Sequence, residues 1–232
     1  MELSIGISDF AQIRQGNFYY VDKTSYLENL IEIGRRYFLS RPRRFGKSLT
    51  ISTLESMFAG QKDLFKGLAA EKFVERYFSK PFPIISFSMP KLRKKTPEFL
   101  EALLHGQITR LAKYFNIEIE DKILEIRFAA LIEGIYNKYG HLVVLIDEYD
   151  RPILDCIENQ AIAMDIRNTL QSFYTVLKDL DKYIYFLMLT GISKFSKTGV
   201  FSSLNNLLDI SMTENFGNIV GYSQEELETV FF

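Results

Sequence analysis

An α/β fold, with a mostly parallel sheet and helices on both of its faces, is what this sequence predicts. Three observations lead there. Short β-type apolar runs alternate with longer segments of helical periodicity, the pattern of strands joined by helical crossovers. One run, Leu142-Val143-Val144-Leu145-Ile146, is apolar without a break and suits a central parallel strand buried on both sides. Another, Tyr37-Phe38-Leu39, leads through a loop with Pro42 into Gly46-Lys47-Ser48 and then a helix.

Element by element, Met1 to Asn17 carries weak signals and reads as a strand or loop. Asp22 can cap a helix from Lys23 to Ile33, with Leu27, Leu30 and Ile31 at helical spacing and Gly34 as its stop. After the Tyr37–Leu39 strand, a helix runs from about Lys47 to Phe58 and stops at Gly60. Leu68 to Phe78 is the next helix, and Ile84-Ile85-Ser86-Phe87 the next strand. Thr96 caps a long helix that starts with Pro97 and Glu98 and reaches Phe115. Glu120 to Tyr139 is helical, closed by Gly140. Beyond the Leu142–Ile146 strand come a helix over Ala161–Leu180, a strand over Ile184–Leu189 and a last strand over Leu207–Met212. Ser223 and Glu226 form a capping box that announces a further helix. The expected division is a domain over residues 1–220, with 221–232 as the start of a truncated C-terminal module.

Composition narrows the function. Of 232 residues, 28 are Lys or Arg and 29 Asp or Glu, a net charge of -1, so no global field draws the chain to nucleic acid or to a membrane. The densest basic run, Lys91, Arg93, Lys94 and Lys95, reads as a solvated loop or, less simply, as a contact for nucleic-acid phosphates. With one cysteine, Cys156, and only His105 and His141, neither an internal disulfide nor a zinc site is expected. No signal peptide and no membrane-length apolar run is present, so a cytoplasmic location is expected.

The chemistry centres on Arg41-Pro42-Arg43-Arg44-Phe45-Gly46-Lys47-Ser48-Leu49. The phosphate-binding P-loop (Walker A) pattern is Gly, four residues, then Gly-Lys-Ser/Thr. Its last three residues stand here as Gly46-Lys47-Ser48, with Arg41 at the first glycine. Backbone N–H groups from Arg44 to Ser48 at a helix N-terminus can surround a β-phosphate, and Gly46 allows close approach. Lys47 would reach the β- and γ-phosphates, and Ser48 would give its hydroxyl to Mg2+. Arg43 and Arg44 are either phosphate contacts or solvated charges.

About 100 residues later, the apolar strand ends in Asp147-Glu148. An aspartate in that place can hold the magnesium opposite Ser48, and a glutamate after it can activate water. Two acids at a strand exit are common, but paired with Gly46-Lys47-Ser48 they point to ATP hydrolysis. No guanine-reading Asn/Thr-Lys-x-Asp follows, which favours ATP over GTP.

Longer strings then bear on family. They are Tyr20-Val21-Asp22-Lys23-Thr24, Ser40 to Leu49, Asp147-Glu148-Tyr149-Asp150-Arg151-Pro152-Ile153, Leu189 to Phe195, and Leu204-Asn205-Asn206-Leu207 with Asp209. Together they strongly resemble the AAA-ATPase-like family of bacterial and archaeal proteins, over nearly the whole chain. Arg41 in place of the first glycine matches that family's pattern. The resemblance implies an additional-strand P-loop fold, with the Ile184–Leu189 strand between the P-loop strand and the Asp147 strand. It implies that Thr190 senses the γ-phosphate, unless it merely caps its strand, with Ser193 and Lys194 as alternatives. Arg151 would be a charge-stabilising arginine, in cis or toward a neighbour, or a surface ion pair with Asp150 or Asp155. Asp22 and Lys23 would touch nucleotide or serve only to cap a helix. Longer members look like fusions to a nuclease-like domain of the PD-(D/E)xK type. The expected function is Mg2+-dependent ATP hydrolysis; the alternative is a nucleotide-dependent switch with negligible turnover that regulates a fused or separate effector.

Overall fold

The computed structural model describes residues 2–89, 91–194, 204 and 206–231. The chain begins with helices α1 (Phe10–Gln15) and α2 (Thr24–Ile33), then strand β1 (Arg36–Ser40), helix α3 (Lys47–Phe58) and helix α4 (Glu71–Tyr77). Strand β2 (Ile84–Ser88), helices α5 (Pro97–Phe115) and α6 (Leu124–Tyr139) and strand β3 (Leu142–Asp147) follow. The short α7 (Arg151–Leu154), the long α8 (Gln160–Asp179), β4 (Ile184–Gly191), β5 (Leu208–Asp209) and α9 (Gln224–Phe231) complete it.

The five strands form one sheet in the order β2-β3-β4-β1-β5, with every pairing parallel. β4 therefore lies between β1 and β3, the position expected for the Ile184–Leu189 strand. The register sets Thr190 beside Leu39, Leu189 beside Ile146 and Ser88 beside Asp147. The C-terminal ends of four strands thus come out level, along the edge where parallel α/β sheets bind ligands. At the opposite edge the Arg36 guanidinium donates to the Asp181 carboxylate and to the carbonyls of Asp181, Ile184 and Tyr185, tying the starts of β1 and β4 together.

Alternation along the strands divides the core in two. Leu142, Val144 and Ile146 of β3 pack with α5, α6 and α8 through Leu104, Phe128 and Phe173. Val143 and Leu145 face the other way, against Leu54 and Phe58 of α3 and Phe10 of α1. All six residues of β3 are buried. Burying each of its aliphatic side chains is worth about 1.5–3 kcal/mol, so this strand anchors both layers.

Several expectations need correction. Residues 10–15 form a helix, where a strand or loop was expected: the Asp9 carboxylate accepts from the Gln12 N–H, and Phe10 and Ile13 point into the core. α2 starts at Thr24, one residue later than expected, with Lys23 in the cap position assigned to Asp22; the Asp22 carboxylate accepts from Thr24 N–H and Oγ1 and from Ala69 N–H. α6 starts at Leu124, because Asp121 turns the chain by accepting from Ile123 N–H. The last strand shrinks to two residues: Asp209 accepts from the Ser211 N–H, and the Ser211 hydroxyl takes the Ser40 N–H in place of a ladder partner. α7 had no signal in the pattern. Phe195 and Asn205 of the family strings lie outside the described residues.

Candidate functional site

The turn between β1 and α3 is exposed and carries two left-handed residues. Gly46 has φ +92 and Arg44 φ 66, both left-handed. A side chain at Gly46 would be strained by that φ, although a Cβ there would meet open space. Pro42 to Gly46 are exposed, while Lys47 is buried at the start of α3. The Lys47 Nζ donates to the carbonyls of Arg41 and Pro42, each at 2.8 Å. Burial pushes the Lys47 pKa down; Asp147, Asp150 and Glu148 oppose this, and Arg43 adds to it. An ammonium so placed gains from any anion that approaches the turn.

Asp147, at the end of β3, is fixed through both carboxylate oxygens. Oδ2 accepts from the Ser48 hydroxyl at 2.5 Å. Oδ1 accepts from the Thr190 hydroxyl at 2.5 Å and from the Glu148 N–H at 3.0 Å. Thr190 is fully buried behind Asp147. Its hydroxyl therefore meets the cavities only by way of that carboxylate.

Glu148 follows in the left-handed region, φ 54, a strained position for a side chain that is not glycine. Its carboxylate forms an ion pair with Arg151, the first residue of α7. The partner of Arg151 is thus Glu148, in place of Asp150 or Asp155. Asp155 instead accepts from the Leu92 N–H, which pins the loop carrying the exposed Lys91, Arg93, Lys94 and Lys95.

The network extends to Tyr149 and Asp150, whose roles the sequence reading missed. The Tyr149 N–H donates to the Thr190 carbonyl and its hydroxyl to the Ser193 carbonyl. Asp150, fully buried, accepts from the N–H groups of Ile192 and Ser193 through Oδ2. A Cβ at Gly191 would lie 2.3 Å from the Tyr149 ring and 2.8 Å from Asp150 Oδ1. The ends of β3 and β4 are bolted together, and glycine is needed where they touch. The only sequence signal was the acid at Asp150 so soon after Asp147.

Two cavities meet here. The larger, about 1020 Å³, is walled by Arg43 to Thr50, by residues 4–8 and 19–21 with Lys23 and Leu27, and by residues 219–222 with Leu227. The smaller, about 370 Å³, is lined by Ser8, Asp9, Ser52, Glu55, Ser86 and Ser88, and touches Asp147. Ser48 and Glu148 belong to both. Burial raises the Glu55 pKa, against a hydrogen bond from Ser86 and with help from Asp9. The structure therefore gathers Arg43, Arg44, Phe45, Gly46, Lys47, Ser48, Leu49, Asp147 and Glu148 at one place. Arg41 and Pro42 contribute carbonyls to Lys47, and the Arg41 guanidinium turns away to the carbonyls of Ser40 and Gly217. Thr190 and Arg151 stand behind the carboxylates and line neither cavity.

Among the described residues no helix is long and apolar enough to cross a membrane. Cys156 is buried, and burial pushes its thiol pKa up, in keeping with an apolar packing role.

No solved structure matches the chain. An uncharacterized protein encoded in the vnfD 5' region of Azotobacter chroococcum mcd 1 is 42% identical over 233 residues, covering 99% of this chain and 45% of the relative. The chain thus spans less than half the length of that relative. The model of the AAA-ATPase-like family, described as Predicted AAA-ATPase, matches residues 4–201, and the chain belongs to that family.

Proposed function

We propose that this chain binds ATP with magnesium across the Arg41–Ser48 turn and hydrolyses it, as a P-loop ATPase of the additional-strand type. The observation that carries this reading is the direct hydrogen bond from Ser48, on the first turn of α3, to Asp147 at the end of β3. It brings the hydroxyl and the carboxylate that a nucleotide-bound magnesium needs to one point, with Lys47 beside them. The position of β4 between β1 and β3 agrees with the fold.

The residues present fit magnesium. The ion takes hard oxygens in octahedral geometry and uses one or two protein groups beside phosphates and water. Ser48 and Asp147 are such oxygens. Among the described residues no cluster of three or more His, Cys, Asp or Glu could hold a metal unaided. When bound, the ion would neutralise charge that develops on the transferring phosphoryl group.

The side chains then have distinct tasks. Lys47 would leave the Arg41 and Pro42 carbonyls and donate to phosphate oxygens. The N–H groups of Arg44 to Ser48 would enclose the β-phosphate. Thr190 would hold the Asp147 carboxylate in its orientation. Glu148, at the junction of the cavities, would accept a proton from the attacking water once free of Arg151.

That ion pair favours a second reading. With its carboxylate paired to Arg151, Glu148 is held as an ion-pair partner and not offered to water, which suits a nucleotide switch with negligible turnover that regulates a fused or separate effector such as a nuclease-like domain. Phosphate release from ATP with magnesium separates the two. The ATPase reading expects turnover in the wild type, a loss of about 10²-fold or more in Lys47→Ala, and about 10²- to 10⁴-fold in Glu148→Gln. Tight ATP binding with no release above the Lys47→Ala background would leave the switch.

A further inference from the structure

The larger cavity is roomier than a triphosphate requires. At about 1020 Å³ it stands at the upper end of the roughly 300–1,000 Å³ typical of pockets for drug-sized molecules. The phosphate turn forms one wall. The other walls come from residues 4–8, from residues near the start of α2 and, last, from residues 219–222 and Leu227. The latter lie beyond the 4–201 family match. The core residues Val21, Leu27, Ile219 and Val220 form its apolar floor, and the more exposed Phe45, Tyr222 and Leu227 add apolar surface, beside Tyr20. Phosphates prefer N–H groups and cations, whereas a flat heteroaromatic ring fills such a lining.

Hydrogen bonds attach the C-terminal wall to the rest of the site. The Gly221 N–H donates to the Phe45 carbonyl at 3.0 Å. The Arg41 guanidinium donates to the Gly217 carbonyl at 3.4 Å. Lys23 Nζ donates to both oxygens of the Glu226 carboxylate, at 2.5 and 2.6 Å, with side chains only 12% and 24% exposed. Glu226 also accepts from the Ser223 N–H, and the Ser223 hydroxyl accepts from the Glu226 N–H. A capping box at the start of α9 therefore presents its carboxylate to the start of α2.

We propose that residues 19–27 and 219–227 enclose a purine nucleoside, and that the Lys23–Glu226 pair is the clasp that positions the C-terminal wall against it. A bicyclic base covers more of the apolar lining than a single ring, which sets purine above pyrimidine. The assignment rests on the reading that the Arg41–Ser48 turn takes a triphosphate. Lys23 and Glu226 act as positioning residues, because their charges are spent on each other.

Calorimetric titration with magnesium and, in turn, ATP, GTP, CTP and inorganic tripolyphosphate tests both parts. ATP and GTP are expected to bind at least tenfold more tightly than CTP and tripolyphosphate. Glu226→Gln should erase most of that preference and leave tripolyphosphate affinity unchanged, which also reports an intact turn. The reversed pair, Lys23→Glu with Glu226→Lys, should restore part of it. Should these variants fail to fold, Leu227→Ala carries the same test by trimming the wall alone. Equal affinity of the wild type for all four probes overturns the subsite. An unchanged purine preference in Glu226→Gln overturns the clasp. Failure of all four to bind, in the wild type as in Lys47→Ala, overturns the triphosphate reading and the subsite with it.

Discussion

The Ser48 hydroxyl donates to the Asp147 carboxylate at 2.5 Å, across 99 residues of sequence. This contact joins the first turn of α3 to the end of β3. Asp147 accepts three hydrogen bonds, from Ser48, Thr190 and the Glu148 N–H. Asp147→Asn places an amide N–H₂ against one of these donors. The expected cost is about 1–3 kcal/mol of stability, together with loss of magnesium-dependent phosphate release. Thermal denaturation beside a phosphate assay checks both, and an Asn variant with wild-type stability and turnover would contradict the site.

Gly191 tests the bolting of β3 to β4. An added methyl meets the Tyr149 ring at 2.3 Å and Asp150 Oδ1 at 2.8 Å, groups that are themselves fully buried. Gly191→Ala is expected to destabilise by about 1–3 kcal/mol through overpacking, read from a urea unfolding midpoint. It should also lower phosphate release beyond what unfolding explains, since Thr190 precedes it directly. A midpoint equal to wild type would show that the strand ends move freely.

Arg151 separates restraint from catalysis. Its side chain and that of Glu148 are 36% and 31% exposed, so the pair contributes little to stability. If the pair restrains the base, Arg151→Ala raises basal phosphate release severalfold at unchanged melting temperature, and this is the expected result. A fall of tenfold or more would instead make Arg151 a charge-stabilising group in the reaction.

The Lys23–Glu226 pair predicts a pH dependence. Burial works to raise the Glu226 pKa, but the hydrogen bond and charge of Lys23 and the N–H of Ser223 hold it below the ordinary 4.5. A carboxylate depressed in the folded state contributes stability that is complete above its unfolded value and lost as pH falls through the folded one. Stability should therefore decline below about pH 4.5, with a shallower acid limb in Glu226→Gln. Identical acid limbs would show the pair to be open in solution.

Much of this was legible in the residues because the decisive signals are local. The unbroken apolar run of β3 needs burial on two sides, and the structure supplies two core layers. Gly46-Lys47-Ser48 stands between a strand and a helix, so its place at the sheet edge followed. Helix starts were legible where a capping side chain was recognised, as at Thr96 and Ser223. Asp9 does the same for α1 and was passed over, since six residues leave little periodicity to read. The contacts of Asp150 with Ile192 and Ser193, and of Lys23 with Glu226, join segments remote in the chain. Nothing in the spacing of either segment announces them, because they exist only once the strand order is set.

That strand order has a consequence for how the protein is made. β1, which carries the phosphate turn, neighbours only β4 and β5 in the sheet. On a ribosome releasing the chain from its N-terminus, residues 36–40 emerge long before residues 184–191. The P-loop strand must wait, unpaired and apolar, for a partner that emerges about 150 residues later. Such non-local pairing folds slowly and leaves sticky surface exposed meanwhile. Expression at lower temperature, or with chaperones that shield nascent chains, should therefore raise the soluble yield.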